Sequence, residues 1–522
     1  MLLDVTDLHA GQTVDADLCI VGAGVAGITL ARAFASSRIS VCLLEAGPPH
    51  LGQGTDELSG SARNIGRPYP RLQGSRSRGI GGTGNVWGGH CVPLRAINFE
   101  RHSWSRYTGW PITLTDLEPF YRRAEQTLGI DQYSCDLGQV GHILGHHPFP
   151  FDPARVQTMV ARYVRRGVRE SVRQQLTAAR NIRVVTGASV TSIDAHQDGR
   201  CVESVTVHAA GDRRVVVRAR WFVLATGGIE NARLLLASTA VHRAGLGNQH
   251  DLVGRFFTEH IWYRSGVILP RQTQSENTWY TQESRYRDIA WRAHLCLPDS
   301  VARESNLPDF RAELSCDRSW RVTASALSLR DLHRHLARLQ WPSDVRGQFG
   351  NLLRGPAEAL SYATGRWRPV AYRLWNNVEQ APNPDSRIAL STDRDRFGVP
   401  IATVDWRLSE VDRQGIRHAH HCIAREVTRS RFGRMFVEVP EDDTEMLAGA
   451  DGIGHHMGTT RMHDDPRLGV VDRHCRVHGL ANLFIAGSSV FPTGGYANPT
   501  LTIVALTERL ADHLTPRVTD AR

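Results

Sequence analysis

The residues Gly22-Ala23-Gly24-Val25-Ala26-Gly27 have the GxGxxG spacing of a dinucleotide fingerprint. In that arrangement the first glycine, Gly22, makes a tight turn. The second, Gly24, lets the backbone approach a pyrophosphate, and the third, Gly27, lets a helix pack closely on a strand. The context fits. Leu18 to Val21 reads as an apolar strand, Ile28 to Ala35 is helical in composition, and a second strand over Ile39 to Leu44 ends on an acid, Glu45. The helix start offers free N–H groups and the positive end of a dipole to a diphosphate. The Glu45 carboxylate is placed to accept hydrogen bonds from an adenosine ribose.

Two further glycine-bearing strand ends decide which dinucleotide is expected. Trp221–Ala225 runs into Thr226-Gly227-Gly228, and Leu483–Ala486 runs into Gly487-Ser488 near the C-terminus. One mononucleotide half does not need three such contacts. A long FAD lying across one sheet does, so FAD is the expected cofactor rather than a nicotinamide.

The elements that must position these turns read as follows. Leu114 to Gly129 reads as a helix capped by Thr113 or Thr115, and Arg155 to Arg180 as a long helix. Strands follow at Ile182–Thr186, Val190–Ile193, Val202–His208, Val215–Arg220 and Trp221–Ala225. A helix over Glu230–Ala237 follows, and another spans Asn498–Leu514. From about Phe256 to Val439 the segments are longer, less regular and richer in aromatics. The expected fold is α/β: a discontinuous FAD-binding Rossmann-like domain in two segments, residues 1–255 and 441–522. Between them an α+β substrate domain, residues 256–440, is built on a mostly antiparallel sheet.

Composition bounds the function. The chain has 522 residues, 41% apolar and 22% charged, enough for a sizeable core. It contains no lysine, so all 62 basic residues are arginine and chemistry through a lysine Schiff base is excluded. The net charge of +9 reads as a solvated basic surface rather than a nucleic-acid site, because 53 acids are interspersed. Nine scattered cysteines without a CxxC pair argue against disulfides and structural zinc, and no metal is expected. No basic-then-apolar leader and no apolar run of about 18 residues is present, so a cytoplasmic protein without a transmembrane segment is expected. Leu329, Leu332, Leu336 and Leu339 with Arg330, Arg334 and Arg338 read as an amphipathic basic helix, with a solvated face over a core stripe.

The segment GHHMGTTRMHDDPRLGVVDRHCRVHGLANLFIAGSSVFPTGGYANPTLTIVALTERLADHL resembles the terminal signature of the glucose–methanol–choline (GMC) oxidoreductases. GGTGNVWGGH resembles the flavin-contacting loop of that family, in its pyranose-oxidase-like and bacterial sugar-dehydrogenase branch. The resemblance covers the first 260 and last 80 residues and is looser between. It implies oxidation of a CH–OH group, with a sugar or glycoside favoured over a lipophilic alcohol or sterol. A flavin-bound lyase and a non-catalytic FAD-binding subunit of an electron-transfer complex are rival readings. Such a protein takes a small-molecule alcohol and, in some relatives, an electron-transfer partner with a signal that exports both.

Alcohol oxidation by hydride transfer needs a base for the hydroxyl proton, which points to histidine. Composition cannot choose among 24 histidines. The resemblance places the base at His455, three residues before Gly458-Thr459, with His456 turned elsewhere. It makes Asn498 the partner whose amide donates to the substrate oxygen. Asn498-Pro499-Thr500 is also a good helix start, with asparagine as N-cap and proline first in the helix. Within the loop Gly81–His90, Gly82, Thr83, Asn85 and Val86 are implied flavin contacts. Val86 stands where pyranose oxidases carry a linking histidine, so FAD is expected to be non-covalent. Val190 resembles the family's backbone contact to adenine. Glu379 and Gln380 are candidates for reading substrate hydroxyls, though a plain strand and turn explains them equally.

Overall fold

The computed structural model describes residues 1–48, 62–70, 72–164, 176, 178–209, 213–271, 278–317, 341, 344–356, 371–439 and 449–520, with positions 325, 328–329, 332–333 and 335. Its first sheet holds five parallel neighbours in the order Leu2–Asp4, Ile182–Thr186, β2 (Val41–Leu44), β1 (Thr13–Val21) and β3 (Arg214–Leu224). The central strands are apolar on both faces, as parallel strands covered on both sides must be. Leu18, Cys19, Ile20, Phe222, Val223 and Leu224 are all fully buried.

β3 is one continuous strand where the sequence suggests two, and it divides its free edge. Its first half pairs antiparallel with Val202–His208, and its second half pairs parallel with Leu483–Ile485. That second pairing brings the C-terminal segment into the sheet begun by the N-terminal one. Helix α1 (Val25–Ala33) follows β1, and α2 (Gly227–Ala237) follows β3. The long α3 (Thr500–Asp520) packs on α1 and on the helix Leu114–Leu128.

The second sheet has nine strands and is antiparallel, as expected for the substrate half. β4 (Ile261–Pro270) and β5 (Phe310–Asp317) flank Ala371–Val378 in it. Two strands from earlier in the chain join this sheet, His90–Cys91 and Gln157–Val164. The latter corrects the helix expected over Arg155–Arg180. Gln157–Val164 pairs residue for residue with Ile289–Cys296, and that partner, more than 120 residues away, overrides a run whose arginines suggest helix. Residues 165–175 and 177 lie outside the described part. So does most of the basic helix expected around Leu329–Leu339, of which only Leu329 and Leu332 are described among the named positions.

Helix α1 starts at Val25, three residues earlier than its composition suggests, because the glycine turn is shorter than it reads. A Cβ on Gly27, in its first turn, would run into the carbonyl oxygen of Gly22. Gly27→Ala therefore forces helix and strand apart, and overpacking of this kind costs about 1–3 kcal/mol. Urea unfolding is expected to show the loss as a lower midpoint with unchanged slope. An unchanged midpoint would show that the turn does not depend on this close approach.

Candidate active site

The carboxyl ends of the parallel strands open onto one cleft, the usual place for a ligand in such a sheet. The cleft has a volume of about 420 Å³. Among the residues singled out from the sequence, Gly22, Gly24, Glu45, Gly82, Thr83, Val86, Val190, Thr226, Gly227, His455, Gly487, Ser488, Asn498, Pro499 and Thr500 all line it. Gly27 and Asn85 do not. Gly27 is the packing glycine described above. The Asn85 amide donates to the Ile80 carbonyl at 2.8 Å and holds the short helical turn Gly82–Asn85 closed.

The glycines at the strand ends have distinct tasks. Gly22 has φ +103°, and a Cβ there would sit 2.7 Å from the Ala225 carbonyl oxygen. Gly24 has only that oxygen at 4.0 Å and otherwise faces open space. Gly227 and Gly487, at φ +88° and +128°, have nothing within 4 Å. Side chains at Gly24, Gly227 and Gly487 would fill this open space, and their absence leaves room for a diphosphate and its flanking groups. The loop Gly81–His90 docks on the fingerprint through Gly81 N–H to the Ala23 carbonyl at 2.7 Å. Glu45 is buried and already accepts from Gly47 and Ala23 at 2.8 and 2.9 Å and from Gly79 at 2.9 Å. Of its roughly four lone-pair positions, one on Oε2 is left for a ribose hydroxyl. Burial raises its carboxyl pKa, and the three backbone donors oppose that rise. The site therefore fits FAD.

At the other end stand His455 and Asn498, with His455 Nε2 3.3 Å from the Asn498 amide nitrogen. The Asn498 amide orientation is fixed from behind, because Arg311, which can only donate, reaches Oδ1 at 3.3 Å. The amide nitrogen thus faces His455. Helix α3 begins at Thr500, and the first helical bond runs from Ile503 N–H to the Pro499 carbonyl at 2.8 Å. The expected asparagine cap is therefore displaced by one residue, and the Asn498 side chain is committed to Arg311 and His455. Burial, then the nearby His260 and Arg311, hold the His455 imidazole well below its ordinary pKa, so it is neutral.

His456 is different. Its Nε2 lies 3.0 Å from Tyr69 Oη and 3.2 Å from Ser75 Oγ. The Tyr69 hydroxyl donates to Glu259, and the Ser75 hydroxyl donates to the Leu72 carbonyl at 2.7 Å. Both oxygens have spent their protons, so His456 Nε2 must be the donor and has no lone pair to offer there. Its pKa is pushed down to about 3 by burial and Arg76.

Several residues of the site were not legible in the sequence. Glu259, fully buried, accepts the backbone N–H of His455 at 2.7 Å, of Gly454 at 2.9 Å and of His260 at 2.9 Å. Burial pushes its carboxyl up to about 7 against those donors. His260 meets His455 with the two Nδ1 atoms 2.7 Å apart. Arg76 and Arg78 line the cleft and engage Glu230. The paired arginines of GSRSRG were the available signal for these two. Conversely, Glu379 and Gln380 do not line the cleft. Glu379 accepts from Gly495 and Asp309 N–H at 2.9 and 3.0 Å. Gln380 Oε1 accepts from Glu259 N–H and the Trp406 indole at 3.0 and 2.9 Å. Buried backbone donors occupy both side chains.

Residues 382–507 match the C-terminal GMC oxidoreductase family model. The 6'''-hydroxyparomomycin C oxidase of Streptomyces lividus is 25% identical, with 95% of this chain and 92% of that protein aligned. The fructose dehydrogenase large subunit of Gluconobacter japonicus is 23% identical over 96% and 98%. The fold is shared with formate oxidase of Aspergillus oryzae, in a structure determined for the effect of a mutation on its FAD modification. There the TM-score is 0.56 at 17% identity, covering 98% of this chain and all of that one. The chain is thus similar to these relatives along nearly its whole length, shares the fold of that oxidase, and matches the GMC oxidoreductase family model over its C-terminal segment.

Proposed function

We propose that the chain oxidises a CH–OH group of a sugar or glycoside to a carbonyl, with non-covalent FAD along the strand-end cleft, His455 as base and Asn498 as oxyanion partner. The observation that carries this reading is the His455–Asn498 pair at the cleft wall: a neutral imidazole nitrogen and an amide N–H stand side by side at 3.3 Å, both lining the cleft. A hydroxyl placed between them gives its proton to His455 Nε2 and receives a hydrogen bond from the Asn498 amide as charge builds on oxygen. Bound FAD would supply the acceptor for the hydride that leaves the carbon. Gly22, Gly24, Gly227, Gly487 and Ser488, which line the cleft, would hold its diphosphate and flanking groups, and Glu45 and Val190 would serve its adenosine end. Val86 is aliphatic and offers no atom for a covalent bond to FAD.

Support for a sugar comes from the relative named for fructose and from the loop's likeness to the sugar-oxidising branch. That relative is a large subunit, which supports a separate electron-transfer partner here as well. Among the described residues no helix is long and apolar enough to cross a membrane.

Acid precipitation of the purified yellow protein is expected to leave FAD in the supernatant. Flavin retained in the pellet would mean a covalent bond. Gly24→Leu puts a side chain into the space kept for the pyrophosphate and is expected to yield folded, colourless protein. Full occupancy by FAD in that variant would show that the fingerprint does not hold it.

Stopped-flow flavin reduction under anaerobic conditions, screened over sugars, glycosides, sterols and aliphatic alcohols, tests the chemistry. His455→Ala is expected to slow reduction by about 10²–10⁴ and Asn498→Ala by about 10²–10³, both with FAD bound. His456→Ala is expected to keep most of the rate. The reverse pattern would assign the base to His456.

The pH profile follows from the direction of the shift. The base acts when neutral, and its pKa is lowered, so activity persists on the acid side of the ordinary range. The rate is therefore expected to stay level through the ordinary histidine range, about 6.5, and to fall only well on its acid side. A rise through the ordinary histidine range would show that burial does not set this proton affinity.

A further inference from the structure

His260 does not itself line the cleft, yet its contact with His455 decides which nitrogen of that ring carries the proton. It is fully buried at the start of β4. Its Nε2 lies 2.8 Å from the Gly495 carbonyl oxygen, which can only accept, so Nε2 carries the proton. Burial lowers the His260 pKa to about 4, so the ring is neutral and Nδ1 is a bare lone pair. That lone pair faces His455 Nδ1 at 2.7 Å. Two lone pairs cannot face each other at that distance, so His455 Nδ1 is the donor and its Nε2 is bare. The Asn498 amide, oriented by Arg311, donates toward that same Nε2. Each bond in the chain therefore demands the same placement of protons, from the Gly495 carbonyl through His260, His455 and Asn498 to the Arg311 guanidinium.

We propose that His260 is a positioning residue that fixes His455 in the Nδ1–H tautomer and so aims the Nε2 lone pair at the substrate hydroxyl. The proposal rests on the reading of His455 as base. In the opposite tautomer Nε2 would carry a proton and could not take another. The geometry is held from both ends. Glu259 bonds the backbone N–H of His260 and His455 together, which keeps the two rings in register. Glu379 takes the Gly495 N–H at 2.9 Å, which keeps that residue's backbone in place for His260. Ring geometry is consistent with the pairing: the centroids are 4.9 Å apart with the planes twisted by 86°, so the two Nδ1 atoms meet edge to edge and an in-plane N–H can face an in-plane lone pair.

Two variants separate proton placement from packing. In His260→Asn the amide oxygen stands close to where Nδ1 stood and can accept from His455. In His260→Leu nothing can. With FAD bound, His260→Leu is expected to slow flavin reduction on the order of 10²-fold or more, as loss of a general base does. His260→Asn is expected to recover most of that loss. Histidine ¹⁵N spectra of the FAD-loaded enzyme give a readout besides activity, with the His455 signals identified by their absence in His455→Gln. Wild type is expected to show His455 protonated at Nδ1 and bare at Nε2, and His260→Leu to show mixed tautomers. A proton on Nε2 of His455 in wild type overturns the proposal. So does a His260→Leu enzyme of wild-type rate. If His260→Leu does not fold, the wild-type spectrum and the His260→Asn rate still decide it. A His455→Ala enzyme of wild-type rate would overturn the base assignment alone, because the spectrum reports the tautomer independently of catalysis.

Discussion

A carboxylate with no access to water holds the reacting end of this molecule together. Glu259 accepts from the N–H groups of His260, Gly454 and His455 and from the Tyr69 hydroxyl, which come from three distant parts of the chain. A buried charge of this kind is costly unless every lone pair is used. Here the four donors nearly exhaust its capacity. The consequence is directional. Once the backbone of Gly454 and His455 is tied to the start of β4, the His455 ring can reach only His260 on one side and Asn498 on the other. His456, the next residue along, is turned to Tyr69 and Ser75 by the same anchor, since Tyr69 is itself bound to Glu259. Two adjacent histidines of identical chemistry are thus given opposite tasks by one carboxylate.

The cofactor end depends on a different constraint, the convergence of apolar parallel strands. Each of β1, β2, β3 and Leu483–Ile485 ends at the same edge of the sheet, and each is followed by a residue that can bear close approach or accept hydrogen bonds: Gly22, Glu45, Thr226-Gly227 and Gly487. Pairing of Leu483–Ile485 with the last three residues of β3 is what delivers the C-terminal segment, with His455, Asn498 and α3, to a cleft begun at residue 22. The antiparallel sheet backs the far wall from behind: Arg311 on β5 holds Asn498, and His260, just before β4, holds His455.

What could be read in the sequence divides along the range of the interactions. The fingerprint, its flanking strands and Glu45 were legible because turn, strand and helix signals are local and agree with one another. Ile182–Thr186 and Val202–His208 fall where their apolar alternation puts them. Gln157–Val164 did not, because its strand character is conferred by a partner far along the chain, and its arginines imitate a helix face. Asn498 was ambiguous between cap and catalyst. Only Arg311, over 180 residues upstream, removes the ambiguity by taking its oxygen. Glu259 and His260 carry no motif of their own, and Glu379 seemed available for substrate because its two backbone partners are invisible in one dimension. Family likeness supplied His455 over His456. The physical reason, that His456 Nε2 faces two oxygens already spent as donors, exists only in three dimensions.

Arg311 ties these strands of argument together. It is a fully buried cation, matched by Glu313 at 3.3 Å and spread over both nitrogens of His90 at 3.1–3.2 Å and the Asn498 oxygen. A positive charge there opposes protonation of His90 and His455, and it is among the causes of the lowered pKa of each. The same guanidinium, by donating to the Asn498 oxygen, polarises that amide and strengthens the donation from its nitrogen, since hydrogen bonds in series reinforce one another in a medium of low dielectric. In the proposed reaction one residue thereby adds to the burial that keeps His455 unprotonated and makes the Asn498 amide a better partner for the oxygen on which charge would develop. An uncharged hydrogen-bonding side chain in its place could orient Asn498. It would not add to the burial that already holds the neighbouring imidazoles neutral.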